Sequence, residues 1–145
     1  MIRPYKKSDR KKLLELLRLN IPEFFDPSEE QDFKKYLDGH YEDYFVVEES
    51  GEIVGSGGIN YLNGGIEANI SWDMFHPAFQ GTGLGTKLTK HRIDLIKDNP
   101  KVKMIGVRTS QLSYQFYARF GFEIIEIVKD YWAKGFHLYH MKMKV

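Results

Sequence analysis

The residues best placed to do chemistry lie between Asn69 and Lys87, in the stretch NISWDMFHPAFQGTGLGTK. Asn69 to Phe75 reads as a strand stopped by His76-Pro77, and Gln80-Gly81-Thr82-Gly83-Leu84-Gly85 as a glycine-rich turn that feeds the first turn of a helix. Such a turn leaves successive backbone N–H groups unpaired beside the positive end of a helix dipole, which is an anion site made of main chain. The spacing narrows the anion. A P-loop requires Lys directly after its last glycine, but Gly85 is followed by Thr86 and only then by Lys87. A dinucleotide fingerprint read from Gly81 puts Thr86 where the third glycine belongs, and Met104 to Thr109 holds no acid for a ribose. The pattern that does fit is Gln-x-x-Gly-x-Gly, met by Gln80, Gly83 and Gly85.

Upstream of the turn the strand alternates. Ala68, Ile70, Trp72 and Met74 are predicted on one face and Glu67, Asn69, Ser71 and Asp73 on the other. A polar row on a central strand needs solvent, partners or a substrate, because unpaired burial is costly. His137 and His140 fall at i and i+3 of a strand, on opposite faces, so no metal site is expected there. Downstream, Thr109 to Phe122 (TSQLSYQFYARFGF) reads as a strand end, a short helix carrying Phe116-Tyr117, and a closing Gly121-Phe122.

The two stretches, in this order and at this separation, closely resemble the GCN5-related N-acetyltransferase (GNAT) superfamily. Its acyl-CoA pyrophosphate loop has the form Gln/Arg-x-x-Gly-x-Gly/Ala, and its second cofactor-binding segment matches the Tyr117 region. The resemblance implies acetyl-CoA as cosubstrate, bound through Met74, Phe75, His76, Gln80, Gly81, Thr82, Gly83, Leu84, Gly85, Thr86, Ser110, Ser113 and Tyr117. It also implies an oxyanion donor among the backbone N–H groups near Phe75 and His76, and Tyr117 as the acid that protonates the departing thiolate. A phenol with a pKa near 10 is protonated at neutral pH and suits that task. The packed aromatic of an amphipathic helix is the plainer role for Tyr117. Asn69 stands where some members carry a basic glutamate, and it cannot take a proton. Asp73 or Glu67, acting through water, is then the candidate base, with a structural role as the alternative for each. Ser110 stands where many members have asparagine. Segment Ile21 to Tyr44 and loop Tyr131 to Phe136 are expected to form the acceptor pocket, whose acids and aromatics suit a small cationic or aromatic amine. A peptide or protein acceptor, through its N-terminus or a lysine, and a module that binds acyl-CoA without catalysis, are the other readings.

Composition bounds these expectations. The 145 residues, with 42% hydrophobic and 28% charged, suit one soluble domain (residues 1–145) with a single core. No apolar run reaches the ~18 residues of a membrane span, and MIRPYKKSDR is not a signal peptide, so a cytoplasmic protein without membrane contact is expected. Without cysteine there is no thiol nucleophile, so transfer must be direct, within a ternary complex. The net charge of +1 gives no reason to expect nucleic-acid binding, but its distribution is uneven. From Glu23 to Glu52 eleven acids face two bases, a balance of −9 against +10 for the remainder.

The elements that must position these groups read as an α/β chain with a mixed sheet, in the order β-α-α-β-β-β-α-β-α-β-β. The resemblance implies the GNAT fold, with a splayed central sheet. Asp9 or Ser8 caps a helix with Leu13, Leu14, Leu16 and Leu17 on one face, and Ser28 with Gln31 forms a capping box for Glu29 to Leu37. A hairpin about Ser50-Gly51-Glu52 and a turn at Asn63-Gly64-Gly65 build a three-stranded meander. Gly55, Gly57 and Gly58 in its middle strand mark a bulge or a close approach. In the helix from Gly83 to Asn99, Leu84, Leu88, Ile93, Leu95 and Ile96 are expected to face the sheet, with Lys87, Lys90, Arg92 and Lys97 outside. The C-terminal strand could be an ordinary edge or the seam of a homodimer.

Overall fold

The computed structural model describes all 145 residues. Seven strands form one sheet: β1 (Ile2–Pro4), β2 (Asp43–Glu49), β3 (Glu52–Leu62), β4 (Glu67–Phe75), β5 (Met104–Thr109), β6 (Glu123–Ala133) and β7 (Phe136–Lys144), in spatial order β1-β2-β3-β4-β5-β7-β6. Every pairing is antiparallel except β4 with β5. Helices α1 (Arg10–Arg18) and α2 (Glu29–Lys35) cover one face, and α3 (Leu84–Lys97) and α4 (Tyr114–Ala118) the other. The expected element order is met throughout.

Each helix is held by the face its sequence provides. Leu13, Leu14, Leu16 and Leu17 of α1 are buried against Tyr44, Val46 and Met74. Ile93 and Ile96 of α3 pack with Tyr117 of α4 on Ile59, Ala68, Ile70, Ile105 and Val107. Two details of the helices depart from expectation. The cap of α2 starts at Asp26, not Ser28: Asp26 accepts the Ser28 N–H at 2.9 Å and Glu29 accepts the Asp26 N–H at 2.8 Å. Asp-Pro-Ser-Glu is itself a capping box with Pro at the first helical position, and it outcompetes the later one. In α3, Leu95 is 43% exposed and Arg92 is fully buried. Arg92 stands four residues after Leu88 and four before Ile96, both completely buried, so helical geometry carries it inward.

The feature that shapes the molecule is in β4. Its pairing with β5 stops at Ile70 opposite Val107, yet β4 continues to Phe75 along β3. The two strands therefore part, leaving a wedge between them. The β3–β4 register slips between Ser56 and Gly58, and Trp72 takes φ 49°, a bulge of one extra residue. The bulge breaks the predicted alternation. Trp72 joins Met74 against α1 and α2, while Asp73 turns to α3 and α4, off the polar row. Tyr44 holds the bulge, its hydroxyl donating to the Trp72 carbonyl at 2.8 Å.

The C-terminal strand is not an edge. β7 lies between β5 and β6, so the free edge on that side belongs to β6, where Ile125 and Ile127 are more than half exposed.

The glycines of β3 make room for the bulge. A Cβ on Gly57 would collide with Asp73 Oδ1 and stand 2.8 Å from an Arg92 nitrogen. Gly57→Ala is expected to destabilise the fold by about 1–3 kcal/mol, the range for overpacking. An unchanged urea midpoint would show that the pair can yield and that the glycine is not needed for space.

Candidate active site

The wedge between β4 and β5 opens into a cleft of about 860 Å3 that runs from the α1–α2 connection to the N-terminus of α3 and to α4. Its margins differ in character. Aromatic residues Phe24, Phe25, Tyr36 and Trp72 line one end, main chain of the glycine turn the other, and Trp132 and Phe136 of the β6–β7 hairpin close a side.

At the glycine turn, Gly81 and Gly83 take φ of 77° and 88°, which non-glycine residues adopt only with strain. These two left-handed residues turn the chain into α3, whose intrahelical bonding begins after Thr86. As a result the six successive N–H groups from Gly81 to Thr86 find no acceptor within the chain. Gln80 secures the start of the turn: its amide donates to Asn20 Oδ1 at 3.2 Å and to the Phe75 carbonyl at 3.4 Å. Buried Asn20 also donates to the Phe75 carbonyl, at 3.0 Å.

At the end of β4, the His76 N–H donates to the Val54 carbonyl at 2.7 Å. Of the two N–H groups expected to serve an oxyanion, His76 is thus already used. Its side chain is used as well, Nδ1 accepting the Ala78 N–H at 3.0 Å. The same bond to Val54 makes Phe75 and Gly55 a non-hydrogen-bonded pair of the antiparallel ladder, so the Phe75 N–H points away from β3, toward the cleft.

The centre of the cleft holds a buried ionic cluster that the sequence reading missed. Both Arg92 terminal nitrogens bind Asp73, at 2.5 Å and 2.9 Å, and one also donates to the Gly58 carbonyl at 3.1 Å. The Tyr117 hydroxyl donates to Asp73 Oδ2 at 2.5 Å. Burial opposes the Arg92 charge, but the Asp73 carboxylate outweighs it and keeps the guanidinium above its ordinary pKa. Burial first, and then the Asp73 charge, holds the Tyr117 phenol well above the usual value. Tyr117 is therefore neutral at physiological pH, a hydroxyl with its proton aimed at a fixed carboxylate.

The predicted site residues divide accordingly. Asp73, Met74, Phe75, Gln80, Gly81, Gly83, Gly85, Thr86, Ser110, Ser113 and Tyr117 all line the cleft. Leu84 is buried beneath α3, and Thr82 turns its hydroxyl back to the Phe79 carbonyl. Glu67 is not brought to the site. It begins β4 opposite Met104, bonded to Lys142 at 3.3 Å, eight residues and about 26 Å along the strand from Phe75. Asp73 is present but committed, since the oxygens that would take a proton already hold Arg92 and Tyr117. No group of three or more His, Asp and Glu side chains is placed to share a metal ion, and no helix is long and apolar enough to cross a membrane.

A family model for the acetyltransferase (GNAT) domain matches residues 13–145. The chain belongs to the GNAT acetyltransferases. Solved structures agree in fold. The ribosomal-protein-S18-alanine N-acetyltransferase of Escherichia coli superposes with a TM-score of 0.83 at 17% identity, covering 100% of this chain and 93% of that one. An aminoglycoside 6′-N-acetyltransferase complexed with coenzyme A gives 0.79 at 14%, over 99% and 96% of the two chains. The Salmonella typhimurium protein yncA, solved with its cofactor acetyl-CoA, gives 0.73 at 20%, over 99% and 92%. A sequence search of curated proteins found no match. Within this GNAT chain, Arg92 is a residue that helical spacing from Leu88 and Ile96 could have revealed.

Removing one member of a buried pair leaves an uncompensated charge, at a cost of about 3–5 kcal/mol. Arg92→Met and Asp73→Asn are each expected to lose stability on that scale in chemical denaturation. The double variant should recover part of the loss, and strict additivity would show that the two groups do not act as a pair.

Proposed function

We propose that this GNAT acetyltransferase transfers an acetyl group from acetyl-CoA directly to a primary amine, with small cationic or aromatic-bearing amines favoured. The observation that carries the reading is the run of six unpartnered N–H groups, Gly81 to Thr86, of which Gly81, Gly83, Gly85 and Thr86 line the same cleft as Phe75 with its free N–H. Main-chain donors at a helix N-terminus fit a pyrophosphate. Acetyl-CoA supplies the activated acyl group. Gln80, Ser110 and Ser113 flank the donors along the cleft, and the exposed polar edge of β4 past Ile70 is free for an extended arm to pair with.

The chain then has three tasks. The Phe75 N–H, fixed because Asn20 and Gln80 hold the carbonyl of the same residue, stabilises negative charge developing on the thioester oxygen. Tyr117 Oη holds the proton that the leaving thiolate requires, and Asp73 with Arg92 orients that hydroxyl. Asp73 is assigned to positioning rather than to taking the amine's proton, because its oxygens are engaged, and Glu67 is too distant to serve. Taking the bound ammonium's proton before attack is left to water.

Tyr117 is only 5% exposed, with its proton pledged to Asp73, and this favours one competing reading, a module that binds acyl-CoA without turning it over. Two measurements separate them. Acetyl-CoA at about a hundred times its dissociation constant should add roughly 2.7 kcal/mol and raise Tm by several degrees, as should CoA, while NADH should not. Absence of any shift would remove the cofactor from the reading. Tyr117→Phe should lower kcat about a hundredfold or more while leaving acetyl-CoA affinity close to that of the wild type. Equal turnover in the variant would take Tyr117 out of the mechanism.

A further inference from the structure

Two carboxylates line the cleft, and their electrostatic situations are opposite. Asp73 is matched by Arg92 and Tyr117. Glu29, at the start of α2, has no ion pair. Its neighbour Glu30 binds Arg18 at 2.7 Å and Lys34 at 3.4 Å. Glu29 is nevertheless only 8% exposed. Its Oε2 accepts the Asp26 N–H at 2.8 Å, and burial pushes the carboxyl's pKa up.

Aromatic residues line the same cleft. Phe25 stacks on Trp72 with centroids 6.1 Å apart and planes at 17°, and both line the cleft together with Phe24. The Asp26 N–H and the N-terminus of α2 compensate part of the Glu29 charge, and a cation entering the cleft would compensate the rest. Ring faces in the same cleft favour the same kind of ligand.

We propose that Glu29 is the residue that selects the acceptor, receiving its positive charge while Phe25 and Trp72 pack against its apolar body. The ligand class is a protonated primary alkylamine with an aromatic or extended apolar group. This inference rests on the acetyl-transfer reading for its meaning, but it is a statement about binding. Glu29 thus differs from the rest of the −9 segment: the other acids solvate or pair, and this one faces the cleft unpaired.

The test is calorimetric titration of the full chain at pH 7.5 with saturating CoA, using 2-phenylethylamine and its neutral counterpart 2-phenylethanol. The wild type should bind the ammonium about tenfold or more tightly than the alcohol, and Glu29→Gln should remove that preference while leaving the alcohol unchanged. The amide oxygen introduced by Glu29→Gln can still accept the Asp26 N–H, so Tm and the CoA-induced shift should be retained, which shows that the fold and the cofactor end are intact. Equal binding of the two probes by the wild type, no measurable ammonium binding, or an undiminished preference in Glu29→Gln would each overturn the proposal. Ammonium selectivity that depends on Glu29 in a protein whose Tm does not respond to CoA would uphold Glu29 and defeat the transferase reading instead.

Discussion

A single extra residue in β4 governs most of what this molecule can do. A strand bonded on both edges has no main-chain groups to offer a ligand, and β4 is so bonded only as far as Ile70. The bulge at Trp72 adds twist, and past it the strand stays with β3 and leaves β5. The free edge that results carries the Phe75 N–H. The volume that opens is the cleft. Turning Asp73 to the α3–α4 face and Trp72 to the α1–α2 face, the same bulge places an acid at the centre of the cleft and an aromatic ring at its α1–α2 end.

Several groups secure this irregularity from different directions. The Tyr44 hydroxyl binds the Trp72 carbonyl and also meets Ser56 at 3.0 Å. Arg92 reaches from α3 to Asp73 and to the Gly58 carbonyl, linking helix, bulge and neighbouring strand. Gly57 leaves the space this contact occupies. Replacing water around a guanidinium is expensive, and a salt bridge in a core is weak evidence for stability in itself. Its value here is geometric: the pair fixes where Asp73 stands, and Asp73 fixes the Tyr117 hydroxyl.

The two ends of the cleft are built from different materials. The end at the glycine turn is main chain, so it depends on glycine conformation at positions 81 and 83 and on the amide of Gln80. The opposite end is side chain, with Glu29, Phe25 and Trp72 supplied by two separated segments.

Local physics is what the sequence determined. The element order, the hairpin turns, the leucine face of α1 and the glycine turn before α3 follow from periodicity and from residues with few conformational choices, and all are in the structure. The glycines of β3 announced a close approach without saying of what. Tertiary structure decided whatever depends on residues distant in sequence. The face on which Asp73 lies was set by a bulge against β3, which strict alternation cannot express. Arg92 was buried because an acid 19 residues earlier awaited it, although its spacing from Leu88 and Ile96 was legible. His76 lost its N–H to Val54 and β7 was enclosed by β6 only when the sheet assembled. Glu29 looked like one acid among eleven, and only packing could show which of them would be left facing the cleft without a cation.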